Sequence, residues 1–312
     1  MVKPFLSYEQ QIEKLKLDKE LKIENEDFAK EKLKEVGYYH LITGYKDLFR
    51  NKNIGKYNRG ACFEDIYALY EFDKTLREIF FKYLQIIELT FASHISYYFC
   101  ERYASEQAKY LNPNNYNYVN VNRRHVDTLI GILNDLANGT RVYGNIVYYR
   151  THYHNVPLWI TINHLTFGSK SKMYELLQSP MQNKISAEYA DLDTSGLSQT
   201  MKFLTKFRNI CAHGNRLYNY KSNENLPNLK MHERLEIQKK GAQYIFGKKD
   251  LFGVVIACRY LLSKSDFRKF KIELDRAISS YLRSTSFLDE SKILNEMGFP
   301  SNWKKISRFR NY

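Results

Sequence analysis

For 41 residues, from Phe63 to Tyr103, the chain carries neither glycine nor proline, and its apolar residues keep a helical spacing: Ile66, Leu69, Leu76, Phe80, Tyr83, Ile87, Phe91, Ile95 and Tyr98. Residues three and four apart line one side of an α-helix, so this stretch predicts one long helix at the centre of the core. The rest of the chain agrees. Its 312 residues hold only 14 Gly and 6 Pro, and alternating strand patterns are scarce. The expected fold class is all-α.

Ser7, with Gln10 three residues on, is placed to cap a first helix. A second is expected from about Asn25 to Val36, stopped at Gly37. Residues 38–45 are aromatic and should pack onto the rest. The Asn-rich stretch 112–120 reads as a loop, and Arg123–Asn138 as a helix. Residues 142–157 are the least regular and are expected to hold a short extended piece. Further helices are expected at 158–166 and 169–178, and a last one from about Gly196 to Tyr220. A polar break at 222–228 separates a basic end. The organisation read from these signals is an N-terminal helical arm (1–58), a helical core (59–221) and a basic C-terminal helical region (229–312).

Composition excludes several classes. With 44% hydrophobic and 15% aromatic residues the chain is not intrinsically disordered. Its 48 Lys+Arg against 34 Asp+Glu leave a net charge of +14, which points to a polyanionic partner. Residues 230–312 hold 18 Lys/Arg against 9 Asp/Glu, so most of that excess sits at the C-terminal end. This region is expected to supply much of the salt-dependent grip on a polyanion. The four cysteines are widely separated and form no CxxC pair, which fits a reducing compartment. Charged residues interrupt the start before a signal-peptide core can develop, and the longest apolar stretch, Leu251–Leu262, is too short to span a bilayer and contains Arg259. A cytoplasmic protein with no membrane partner is expected.

The residues most suggestive of chemistry lie between Phe203 and Tyr220. If the helix runs through, Phe203, Phe207, Ile210, Gly214 and Leu217 form its core face, and Asn209, His213, Arg216 and Tyr220 form a narrow stripe nearly opposite. An amide, an imidazole, a guanidinium and a phenol are an unusual choice for a solvated face, where Lys and Glu are the default. Such groups support transesterification of RNA by its own 2′-hydroxyl without a metal or other cofactor. The imidazole moves protons, and Arg208 or Arg216 stabilises the charge on phosphorus. One histidine cannot readily act as base and acid in the same step, and a symmetric dimer would supply two. Spacing alone carries little: with 17 Arg and 8 His, roughly one Arg-x4–6-His match is expected by chance.

What lifts the match is its context. Arg208-Asn209-Ile-Cys-Ala-His213-Gly-Asn-Arg216-Leu-Tyr-Asn219 resembles the RNxxAHxxRxxN signature of abortive-infection proteins of the AbiD/AbiF type, in the HEPN superfamily. Blocks at 3–11, 37–45, 69–77, 87–88 and 157–168 occur in the order that family shows, so the resemblance covers roughly residues 3–220. It implies an all-α HEPN-like bundle that forms a homodimer through its HEPN helices. It also implies a metal-independent endoribonuclease acting as a toxin in phage defence, restrained by a small structured non-coding RNA as antitoxin. Arg208 and His213 would be the catalytic pair and Asn209 an orienting residue. Asn163, where many relatives outside the AbiF branch have Glu, favours that branch.

Glu88 sits in an apolar run and needs a cationic partner, either Arg77 on its own helix or, in a functional version, Arg208 or Arg216. Asn209 and Arg216 could each bind the scissile phosphate or hold the dimer together, and Tyr220 is a further supporting residue of the stripe. Tyr116 and Tyr118 are the candidate base-stacking residues, and Lys304, Lys305, Arg308 and Arg310 the candidate phosphate contacts of the C-terminal region. His152 and His154 lack the Cys or acidic neighbours a metal site needs. Two other readings stay open: a non-catalytic RNA-binding regulator on the same scaffold, and a DNA-binding or membrane-associated protein suggested by charge alone.

Overall fold

The computed structural model describes residues 3–140 and 143–308. Among them are fourteen α-helices: α1 (Tyr8–Leu17), α2 (Glu26–Val36), α3 (Phe63–Tyr103), α4 (Gln107–Tyr110), α5 (Arg123–Asn138), α6 (Gly144–Tyr153), α7 (Leu158–Thr161), α8 (Phe167–Leu176), α9 (Ser179–Ala187), α10 (Thr194–Ala212), α11 (Lys230–Arg234), α12 (Leu251–Leu261), α13 (Lys264–Ser284) and α14 (Glu290–Met297). A single antiparallel hairpin, β1 (Lys239–Lys240) and β2 (Gln243–Tyr244), pairs Lys239 with Tyr244 and Lys240 with Gln243. The fold is all-α.

Local signals fix several boundaries. The Ser7 hydroxyl accepts the Gln10 amide at 3.3 Å, and the Gln10 side chain accepts the Ser7 amide at 2.9 Å, which closes a capping box on α1. Asn25 caps α2 by accepting from the Phe28 amide at 3.0 Å, and Gly37 ends it with φ +83°. The long helix expected from Phe63 to Tyr103 is present over that span as α3. The extended piece expected within 142–157 is instead the helix α6. No side chain caps its start, and it stops at His154 in a left-handed conformation, φ +49°, so neither end carries a legible signal.

The chain divides into two compact units. The first takes residues up to Phe80 with Ile210–Tyr220 and Lys269–Met297; the second takes Phe81–Asn209, Lys221–Arg268 and the residues from Gly298 on. In the first unit, Leu15, Leu33, Ile66, Leu69 and Leu76 are fully buried. Phe72 stacks on Tyr281 with ring centroids 4.6 Å apart, and Phe80 meets Phe270 edge-on at 5.2 Å. The basic C-terminal region therefore contributes Phe270, Leu274, Ile278 and Tyr281 to this core.

The second unit is built on Leu84, Ile87, Phe91 and Ile95 of α3, Phe203, Leu204 and Phe207 of α10, and the whole of α12. Every residue of α12 except Arg259 is buried, as expected of a helix that is apolar all round. Gly253 lets it pack closely: a Cβ there would stand 2.9 Å from the Phe203 ring and 3.1 Å from the Gly247 carbonyl oxygen. No helix among the described residues is long and apolar enough to cross a membrane.

Candidate functional site

The helix expected to run to Tyr220 ends at Ala212. Gly214 adopts φ +66°, its amide donates to Cys211 O at 3.3 Å, and the Asn215 amide donates to Ile210 O at 3.1 Å. These two bonds with a left-handed glycine make a Schellman closure, which satisfies the last carbonyls and turns the chain away. Gly214, expected on the core face, is instead the exposed hinge of this closure. The four-residue stripe is therefore broken. Asn209 is exposed on α10 and His213 is the exposed residue at its C-cap, whereas Arg216 and Tyr220 lie in the segment beyond.

Arg208, one turn before the end of α10, is fixed by a carboxylate. Glu88 of α3 is buried and accepts from Arg208 Nε at 3.2 Å through one oxygen and from Lys170 Nζ at 2.7 Å through the other. Lys170 is itself only 2% exposed. Of the partners considered for Glu88, the structure brings Arg208 and leaves Arg77 elsewhere, while Lys170, on α8, had no distinguishing mark in the sequence. Arg208 stays about a quarter exposed, with its guanidinium 5.7 Å from the Phe81 ring centroid. The bond to Glu88 is made through Nε rather than through the terminal nitrogens of the fork.

Beyond Gly214 the chain is held by Asp73, which is fully buried. One carboxylate oxygen accepts the Tyr218 amide at 2.6 Å and the Leu217 amide at 3.1 Å. The other accepts the Tyr45 hydroxyl at 2.7 Å and the Arg77 guanidinium. Burial pushes the Asp73 carboxyl above the usual range, while Arg77, Tyr45 and the two amides pull against it. Burial likewise holds the Tyr45 phenol well above its ordinary value. Arg216, between His213 and Tyr218 in sequence, donates to the Gly44 carbonyl and lies 3.6 Å from Asp47. Tyr220 is half-buried, its amide donating to Leu217 O. Asp73 and Arg77 stand four apart on one helix, a spacing that marks an ion pair and could have singled them out.

Other expected residues fall differently. Tyr116 is buried at 2% exposure, its hydroxyl donating to Tyr110 O at 2.8 Å and its ring packed near Phe99, so it offers no face to a base. Tyr118 is half-exposed and bonded to Asp127, with Arg123 over its ring. Lys304, Lys305 and Arg308 are exposed; Arg310 lies outside the described residues. The Asn163 amide donates to Trp159 O within its own turn. Cys211, within the motif, is buried and its thiol is pushed up to about 12, which disfavours the thiolate at neutral pH. His152 packs its ring on Tyr148, and among the described residues no group of three or more His, Cys, Asp or Glu side chains is placed to hold a metal ion.

The family comparison bears on an all-α chain with this motif region. The model of the Abi-like protein family matches residues 31–219, more than half of the chain, and the chain belongs to that family. Membership suggests a role in abortive infection. No curated protein and no solved structure matches the chain.

Proposed function

We propose that the chain is an endoribonuclease toxin of an abortive-infection system, of the AbiF branch and on a HEPN-type scaffold. It cleaves RNA by transesterification without a metal. The observation that carries this reading is the fixing of Arg208 by a buried carboxylate, Glu88, on the helix whose C-cap is the exposed His213. A guanidinium clamped through Nε by a desolvated anion is pre-oriented, and pre-orientation is what stabilisation of a transition state requires.

In the reaction the 2′-oxygen attacks the adjacent phosphorus and the bond from phosphorus to the 5′-oxygen breaks. A cyclic 2′,3′-phosphate and a free 5′-hydroxyl result. One imidazole takes the 2′-hydroxyl proton, another protonates the leaving 5′-oxygen, and Arg208 faces the negative charge that builds on the phosphoryl oxygens. His213 supplies one imidazole, and a second copy of the chain in a homodimer supplies the other. A small structured RNA bound over the basic surface restrains the toxin in the cytoplasm.

The test is cleavage of RNA by the purified chain in EDTA. His213→Ala is expected to lower the rate by about 10²–10⁴ while leaving RNA affinity in place, the loss typical of removing a general acid or base. Undiminished cleavage by that variant would overturn the assignment. Binding with no cleavage by either form would favour the non-catalytic regulator.

A further inference from the structure

Within the first unit an open cleft of about 600 Å³ is lined by Tyr39, His40, Lys74, Arg77, Arg216 and Asn215, among others. Its size falls within the roughly 300–1,000 Å³ of small-ligand sites. Three of its lining residues, Lys74, Arg77 and Arg216, are cationic, and Glu35 is the acidic residue among them. Arg77 is committed to Asp73, and Arg216 to Gly44 and Asp47. Lys74 is half exposed, with the Glu71 carboxylate 3.8 Å away. The cleft thus has two cations held by partners and one half-exposed cation, Lys74.

Its rim carries an exposed aromatic ring. Tyr39 is 73% exposed, so its ring is open to a ligand. It opens a π-helical turn, Tyr39–Thr43, a wider winding that is uncommon and recurs at functional sites. The Tyr39 and His40 rings meet edge to face at 5.7 Å, which braces the rim. The floor is held by Asp73, which ties Tyr45 and Arg77 on one side to the Leu217 and Tyr218 amides on the other. Cations in the wall, an exposed ring at the rim and a buried network beneath are the elements that hold a nucleotide of an unpaired strand.

We infer that this cleft binds one nucleotide of single-stranded RNA, with the phosphate between Lys74 and Arg216 and the base stacked on Tyr39. This rests on the ribonuclease reading and adds a subsite to it: the strand is gripped beside the segment that follows His213. Tyr39 acts through its π-face, so recognition is tolerant of base identity.

The test is binding of a fluorescent 2′-O-methyl deca-uridylate to the full chain, followed by anisotropy from about 50 to 200 mM NaCl. This probe lacks the 2′-hydroxyl and cannot be cleaved by the proposed route, so binding is read apart from cleavage. Tyr39→Ala is expected to weaken binding roughly tenfold, and Tyr39→Phe to keep it. Lys74→Ala should lower the slope of log affinity against log salt by about 0.7, the value of one single-strand phosphate contact. Both side chains are exposed, and unchanged circular dichroism verifies the fold. Wild-type affinity in Tyr39→Ala, or an unchanged slope in Lys74→Ala, overturns the cleft. If the unmodified chain still cleaves RNA in that case, the ribonuclease reading stands without it. Binding lost through these variants in a chain that cleaves nothing would keep the subsite and overturn the ribonuclease.

Discussion

Replacing Glu88 by glutamine keeps the shape of the side chain and removes its charge. At an effective dielectric of about 20, the 2.7 Å separation from Lys170 corresponds to roughly 6 kcal/mol of attraction. Desolvating the two ions costs several kcal/mol each, so the intact pair contributes little net stability. Breaking it is a different matter. Lys170, 2% exposed, then keeps an uncompensated buried ammonium, and such losses run to about 3–5 kcal/mol. We expect about 3 kcal/mol for Glu88→Gln, because the amide oxygen still accepts one hydrogen bond. The double variant Glu88→Gln with Lys170→Met should recover most of this, since the stranded charge is gone. Urea unfolding followed by circular dichroism measures both. Cleavage should fall in the single and in the double variant alike, because each removes the charge that anchors Arg208. A single variant as stable as wild type, or a double variant no more stable than the single, would refute the reasoning.

Asp73→Ala strands Arg77 and two backbone amides, so a loss of about 3–5 kcal/mol is expected in urea unfolding, part of it restored by adding Arg77→Met. Gly214→Ala places a Cβ in open space but at φ +66°, so its cost is conformational alone, about 1–2 kcal/mol, and Gly214→Asn should cost less; equal stability of all three forms would contradict the Schellman closure. Burial holds the Lys248 ammonium at about 8, below lysine's ordinary 10.5. Between those values unfolding takes up a proton, so Lys248 opposes folding most below about pH 8 and less as the pH rises. The stability of Lys248→Met relative to wild type should therefore fall between about pH 8 and 10, and a relative stability that rises would show the opposite shift.

The helix starts at Ser7 and Asn25, the stop at Gly37 and the span of α3 were legible because each rests on contacts within a few residues: a capping side chain, a glycine free to take positive φ, a run with no breaker. The end of α10 was not. Gly214 fits the apolar spacing of the helix and equally fits a left-handed C-terminal position, and periodicity cannot separate the two when the next apolar residue, Leu217, returns to the core by another path. Tyr116 shows the same limit, since an Asn-rich loop implies exposure while its ring is carried inside by the bridge between Tyr116 and Leu177.

The sequence by itself determined an all-α chain with a long central helix, a basic C-terminal end and one motif, from Arg208 to Asn219, whose residue types suit RNA chemistry. Only the tertiary structure decided which charges meet. Glu88 lies 120 positions from Arg208 and 82 from Lys170, and Asp73 lies 144 from Leu217. Local rules do not reach that far. Pairing across such distances follows from burial, because a carboxylate removed from water must find whichever cations and amides the packing brings within reach. Tertiary packing also brought a motif residue, Arg216, to the cleft that carries Lys74 and the exposed ring of Tyr39.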